Sequence, residues 1–370
     1  MTRPSTAELL RYFLYLGSLG FGGPVALIGY MQRDLVERRR WFTREEYLKS
    51  LALSQLAPGP LAAQLAICLG YVHSRVRGAT LVSVAFVLPS FLMTVAIGWL
   101  YVRFGGLAWM QAAFYGVGAA VIGIITIAAG KLAGLTLSKD RLQWLIFSVM
   151  AVVTGWTESE LVSLFVLCGV VALVAKAPPA FLRRAKAACL VVATPDLLFQ
   201  LFWFFAKAGA FVFGSGLAIV PFLYGGVVQE YRWLDDKQFV DAVAVAMLTP
   251  GPIVITVAFI GYLVASFPGA LAAAIGVFLP VYLFVVIPFP WFDRIGGNPQ
   301  VKAFVSGVTA AASGAIAGAC FVLARRAVID APTALIALAA LGVTWRFKVP
   351  EPILIAAGAL VGLLIVWLRG

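Results

Sequence analysis

The sequence predicts an all-α polytopic membrane protein made of two homologous halves, and three observations carry that prediction. Hydrophobic residues fill 62% of the 370 positions and charged residues only 12%, with a mean hydropathy of +0.98. Soluble globular chains run at about 45–50% apolar and about 25% charged, so this chain lacks the charge to cover a surface facing water. The apolar residues gather into runs, many of them close to the length, about 20 residues, at which a helix crosses a bilayer. These runs lack the alternation of barrel strands, which leaves helices as the spanning element. The third observation is an internal repeat.

Phe21-Gly22-Gly23-Pro24 is answered by Phe213-Gly214-Ser215-Gly216, Trp41 by Trp233, and Pro58-Gly59-Pro60 by Pro250-Gly251-Pro252, all at an offset of 192. One residue is then lost. Gly70-Tyr71 pairs with Gly261-Tyr262, Gly78-Ala79 with Gly269-Ala270, Leu88-Pro89 with Leu279-Pro280 and Gly116-Val117 with Gly307-Val308, all at 191. Residues 1–176 and 197–370 are therefore read as two copies of one unit. A basic connection, 177–196, holding Pro178, Pro179, Arg183, Arg184 and Lys186, joins them.

Each copy offers six apolar segments. The first copy has 9–31, 47–72, 79–101, 109–129, 142–155 and 161–175; the second has 197–228, 239–265, 270–287, 301–324, 333–343 and 353–368. The segments 142–155, 161–175 and 333–343 are short for a span. The first two of each copy are broken in the middle by glycine and proline. Proline removes a backbone donor and clashes with the preceding turn, so two prolines around a glycine must interrupt the helix. In hydrocarbon such freed backbone groups persist only where they are buried in protein or line a cavity. Interrupted segments at matching places in two halves point to the binding site of a transporter.

The loop after the first segment, residues 32–44, carries five basic residues against two acidic ones. Its counterpart, 229–237, has two basic against three acidic, and Asp241 follows. Lys and Arg mark cytoplasmic loops, which predicts inverted halves. Inversion needs an odd number of crossings per copy, as when the Pro-Gly-Pro segment is a re-entrant hairpin. Broken or re-entrant helices are then expected to meet near the midplane. The net charge of +12 reads as loop charge rather than as a nucleic-acid surface.

At the breaks, Pro60 is placed to open a half-helix, leaving the N–H groups of Leu61, Ala62 and Ala63 without partners in the helix. Such an end is an anion site. Ile253, Val254 and Ile255 after Pro252 supply a second one. Gln64 and Thr256, equivalent by the repeat, stand one turn in, with Ser54, Gln55 and Thr249 nearby. The competing reading is that the prolines are kinks and the polar side chains bridge helices.

Few charges lie inside the apolar segments. Lys207 is the deepest, either a functional ammonium or a side chain snorkelling to the interface. Lys49 and Asp241 are repeat equivalents, placed to form an ion pair or gate, or else to sit at solvated helix ends. The four cysteines and one histidine have no metal, redox or triad spacing, and no metal-protease, nucleophile-elbow or phosphate-loop motif is present. No enzyme and no cofactor is expected. No removable signal peptide is read at the start. The stretch from Gly116 to Gly123 can pack helices within the chain or join two copies as a homodimer.

Phe-Gly-Gly-Pro at 21–24, the basic loop ending in Trp41, Gln55-Leu-Ala-Pro-Gly-Pro60 and Gly70-Tyr71 resemble the chromate ion transporter family. Phe213-Gly-Ser-Gly216 and Thr249-Pro-Gly-Pro252 resemble the second domain of its long-chain, two-domain members. The likeness covers nearly the whole chain. It departs where Ser215-Gly216 stand in place of Gly23-Pro24, so the copies are not interchangeable. The resemblance implies export of chromate across the bacterial inner membrane with resistance to chromate as the result, and no cofactor. The alternatives are transport of sulfate or another oxyanion, or a membrane scaffold that transports nothing. The substrate-binding set it would use comprises Gly22, Gly23, Pro58, Gly59, Pro60, Leu61, Ala62, Gln64, Lys207, Gly214, Ser215, Gly216, Thr249, Pro250, Gly251, Pro252, Ile253, Val254 and Thr256. Its partners are the oxyanion and the lipid bilayer.

Overall fold

The computed structural model describes residues 3–21, 23–104, 108–137, 140–157, 162–177, 196–211, 213–214, 219–292, 298–347, 349 and 351–369. Gly22, Ser215, Gly216 and the connection from 178 to 195 lie outside the described residues.

The first half begins with α1 (Thr6–Leu19), started by a capping box between Ser5 and Glu8. After the break at Gly20 and Phe21 comes α2 (Gly23–Met31), which widens over Gln32–Arg38 into a turn where Arg39 N–H reaches Asp34 five residues back. A second capping box, Thr43 with Glu46, starts α3 (Arg44–Leu56). The strand β1 is the two residues Gly59–Pro60, and α4 (Leu61–Phe104) follows. Then come α5 (Ala108–Thr136), α6 (Arg141–Thr157) and α7 (Val162–Lys176).

The second half repeats the order. It runs through α8 (Leu197–Phe211), β2 (Phe213–Gly214), α9 (Ile219–Tyr224) with its wide turn Gly225–Glu230, and α10 (Asp236–Leu248). A single 3₁₀ turn, Ile253–Ile255, leads into α11 (Thr256–Val286), followed by α12 (Pro299–Ala327), α13 (Ala331–Arg346) and α14 (Glu351–Arg369). Among the described residues, five stretches are long and apolar enough to cross a membrane: Leu61–Phe104, Trp109–Lys131, Ile253–Trp291, Pro299–Ala327 and Glu351–Leu368. Large apolar side chains such as Trp99, Val152, Leu335 and Leu360 stand exposed on the outer helix faces. Such an apolar outer surface is consistent with a multi-pass membrane protein.

α4 and α11 are each two helices joined by a sharp turn. Ser74 and Arg75 (φ 54°, ψ −142°) leave the helical region in α4, and Ala265 and Ser266 (φ 51°, ψ −149°) do so in α11. The chain doubles back there, because a Cβ on Gly70 would lie only 2.6 Å from the Gly78 carbonyl oxygen eight residues on. An unbroken helix would separate these residues by about 12 Å. The turn falls between the apolar segments 47–72 and 79–101, where the sequence divides them. His73 ends the first arm, 3.3 Å from the Thr6 hydroxyl.

The halves interlock. Gly116 and Gly123 of α5 lie against Gly358 and Gly362 of α14 and Ala337 and Leu341 of α13. Reciprocally, Gly307, Gly314 and Gly318 of α12 lie against Cys168 of α7 and Phe147 and Ala151 of α6. The glycine-rich stretch 116–123 is therefore spent on packing within the chain. An ion pair between Arg326, at the end of α12, and Asp236 ties α12 to the start of α10.

Candidate functional site

The two Pro-Gly-Pro breaks have closely related local chemistry. In the first, Ala57 N–H closes α3 onto Leu53 at 3.0 Å. Pro58 has no donor, and Gly59 takes φ +140°, which an L side chain resists. Gln64 turns back from the first turn of α4 and donates Nε2 to the Pro58 carbonyl at 2.6 Å. In the second, Thr249 N–H closes α10 onto Val245 at 3.0 Å and its hydroxyl donates to Ala246. Gly251 takes φ +94°, and the Thr256 hydroxyl donates across the hairpin to the Ala242 carbonyl at 3.1 Å. Ser54 lies 3.5 Å from Cys68 across the first hairpin. In both halves the helix after the break folds back along the helix before it.

Each break is bonded to the other half. Gly59 and Pro60 pair as parallel strand with Phe213 and Gly214. Gly251 N–H donates to the Gly20 carbonyl at 3.0 Å. The Pro-Gly-Pro of the first half thus meets the Phe-Gly of the second, and that of the second meets Gly20, the residue before Phe21, in the first. Contacts this reciprocal are what a pseudo-twofold relation between halves produces. A Cβ on Gly59 would come within 2.7 Å of Gln64 Nε2 and 3.0 Å of Val281. One on Gly251 would collide with the hydroxyl of Ser90, the repeat equivalent of Val281, which donates to the Gly17 carbonyl.

The structure therefore brings Gly59 and Pro60 against Phe213 and Gly214, with Gln64 bonded back to Pro58 within its own break, and Gly251 against Gly20. Gly22, Ser215 and Gly216 lie outside the described residues, as do the surroundings of Gly23. Pro60 is in the strand pairing and Leu61 is the first helical residue of α4, so the free N–H groups of the first turn begin there. The second break differs from expectation. Ile255 N–H is taken by the Pro252 carbonyl at 3.0 Å, closing a 3₁₀ turn, so only Ile253 and Val254 are left of the three donors. Gln64 is wholly buried, and its Oε1 has no hydrogen-bond partner among the described residues.

Lys207 is half-buried in α8, six residues before Phe213, on the stripe shared with exposed Phe199 and Trp203. It makes no hydrogen bond or ion pair with any described residue. Lys49 and Asp241 do not form the ion pair their equivalence suggested. Lys49 is half-buried on α3, whereas Asp241 is 3% exposed and accepts from the Tyr101 hydroxyl at 2.7 Å. The halves diverge in sequence at the partners: Tyr101 is replaced by Phe292, and Arg326 by Leu135, at the 191 offset.

The sequence reading missed the polar cluster around the start of α10. Asp236 accepts from Tyr224 at 2.7 Å and from Arg326, which also stacks over the Tyr224 ring. Tyr115 donates to Asp330, the cap of α13. Beside them opens a cavity of about 550 Å³ lined by Gln111, Tyr115, Lys237, Asp241 and Arg326 among others. The signal was available as a departure from the repeat, in the Tyr101/Phe292 and Leu135/Arg326 positions.

The sequence model of the chromate transporter family matches residues 7–174 and 199–363. A chromate transport protein of Cupriavidus metallidurans is 62% identical over 96% of this chain and 92% of its own length. A probable chromate transport protein of Synechococcus elongatus is 55% identical over 97% and 95%. A chromate transport protein of Pseudomonas aeruginosa is 32% identical over 98% and 92%. No solved structure matches the chain.

Proposed function

The chain belongs to the chromate transporter family, and on that premise we propose that it is a secondary transporter exporting chromate across the bacterial inner membrane, with chromate resistance as the result. The observation that carries this reading is the near full-length identity to chromate transport proteins. The family supplies the cargo, and the geometry suggests the path. The two cross-bonded breaks are the binding region, near the midplane of inverted halves whose pseudo-twofold axis lies in the membrane plane. Opposite charge balance in the loops 32–44 and 229–237 supports that orientation.

In this site the anion is held by backbone rather than by side-chain charge. The first-turn N–H groups of α4, from Leu61 and Ala62, carry the positive end of a helix dipole. Ile253 and Val254 do the same from the other half, and Thr249, Thr256 and Gln64 shape the lining. Their side-chain hydrogen bonds hold the breaks open. Lys207, one turn and a half before β2, adds a mobile ammonium at the rim. A site built this way recognises a tetrahedral dianion and discriminates weakly between chromate and sulfate. Its partners are the oxyanion and the bilayer; a homodimer would need a face other than the stretch 116–123.

The test is uptake of radiolabelled chromate into inverted membrane vesicles, wild type beside Lys207→Ala and with sulfate as competitor. Accumulation that sulfate depresses is the expected result, with uptake lost in Lys207→Ala. Chromate that stays outside under both a pH gradient and an imposed potential overturns the cargo. Full uptake by Lys207→Ala removes Lys207 from the path.

A further inference from the structure

We propose that Asp241 is a proton-binding carboxylate served by the cavity at the start of α10, and that its proton is exchanged for the transported anion. The second clause rests on the transport reading; the first does not.

Two carboxylates, Asp236 and Asp241, line this cavity and a third, Asp330, is bonded to its Tyr115; Asp236 and Asp330 are fully engaged. Asp236 accepts from Tyr224 and is paired with Arg326. Asp330 accepts from Tyr115 and from the Thr333 N–H, capping α13. Asp241 is different. It is 3% exposed, its one hydrogen bond comes from Tyr101 onto Oδ2, and no described cation stands within ion-pair distance of it. An ionised carboxylate left so has no ion-pair partner among the described residues to offset its desolvation. A group in that position takes up a cation.

The cavity says which cation. Its about 550 Å³ has room for roughly a dozen or more waters at about 30 Å³ each, and Asp236, Lys237, Asp241 and Arg326 on its lining are polar groups that such water can join. A hard metal cation asks for about six or more oxygen ligands. Among the described residues no group of three His, Cys, Asp or Glu comes together. A proton needs only the bare Oδ1. The charged and titratable groups facing Asp241 are Asp235, Asp236 and Lys237 from the start of α10, Tyr101 from α4, Tyr115 from α5 and Arg326 from α12.

Position links the proton to the break. Asp241 lies two turns before the end of α10, and α10 ends in the Thr249-Pro250-Gly251 break bonded to Gly20. Asp241 is the sixth of the thirteen residues of α10, so its charge stands only about 10 Å along the helix axis from that end. The other half has Lys49 at this position, so the device exists once per chain.

The decisive measurement needs no chromate. Infrared difference spectra of the purified full-length protein between alkaline and acidic pH should contain a protonated-carboxyl band that is absent in Asp241→Asn. In Tyr101→Phe, which loses the hydrogen bond favouring the ionised form, the band's midpoint should move to higher pH. A band unchanged in Asp241→Asn, or a midpoint unmoved in Tyr101→Phe, overturns the carboxylate assignment whatever the cargo. Should Asp241→Asn not fold, Tyr101→Phe carries the test alone. Liposomes holding the protein and a pH-sensitive dye then test the exchange. Chromate addition should move protons in the wild type and none in Asp241→Asn. Chromate flux without proton movement in the wild type overturns the second clause and leaves the transport reading standing.

Discussion

Gly251 concentrates several constraints in one residue. Its φ of +94° disfavours any L side chain, its N–H is spent on Gly20, and a Cβ would strike Ser90. Gly251→Ala is expected to abolish chromate uptake and to destabilise the protein by about 1–3 kcal/mol for the backbone strain alone. Vesicle flux beside a detergent melting curve checks both. Gly59→Ala has the same φ penalty but meets the flexible end of Gln64, so its loss of stability should be the smaller. Outside the membrane, Asp140 is held below the ordinary carboxylate range first by its hydrogen bond with Lys176, then by the Leu142 N–H. A carboxylate lowered on folding stabilises above its unfolded value and loses that contribution as pH falls through the folded one. The melting temperatures of wild type and Asp140→Asn should therefore differ near neutral pH and converge in acid.

At the scale of elements, the doubled-back helices α4 and α11 are where sequence and structure part company. The breaks were legible because proline and glycine advertise them and the repeat doubles the signal. The turns were legible only as gaps between apolar segments. Arg75 and Ser266 hold the positive-φ positions, and neither residue type announces such a conformation. The wide turns ending at Arg40 and Arg232 show the same thing, with φ of 52° and 51°. Tertiary packing imposes these conformations: Gly70 against Gly78, and Gly261 against Gly269, press the arms so close that the linker must reverse sharply. Ser266→Gly should relieve strain and raise the melting temperature, whereas the β-branched Ser266→Val should lower it, with a loss of stability of about 1–3 kcal/mol if the turn is retained. The Asp241–Tyr101 bond was beyond the sequence for another reason. It joins positions 140 apart, and no local pattern records such a contact.

The whole molecule is two copies that cannot be parted cleanly. α5 packs on α13 and α14, α12 packs on α6 and α7, and each break is bonded into the opposite copy. Residues 1–176 expressed without residues 197–370 should fail to accumulate in the membrane, and co-expression of the two pieces should restore chromate uptake. A first piece that folds and transports alone would contradict the interlocked architecture. Composition and repeat announced two copies and the membrane; they were silent on which helices of one copy face the other, because small residues pack equally well against either. The crossing of the breaks has a consequence for inheritance. A lesion at one break is felt by residues encoded far away in the other copy, so compensating changes for a damaged Gly251 belong at Ser90, Gly17 or Gly20, in the first half of the gene. Each copy is thus constrained to keep the shape that the other's loop fits.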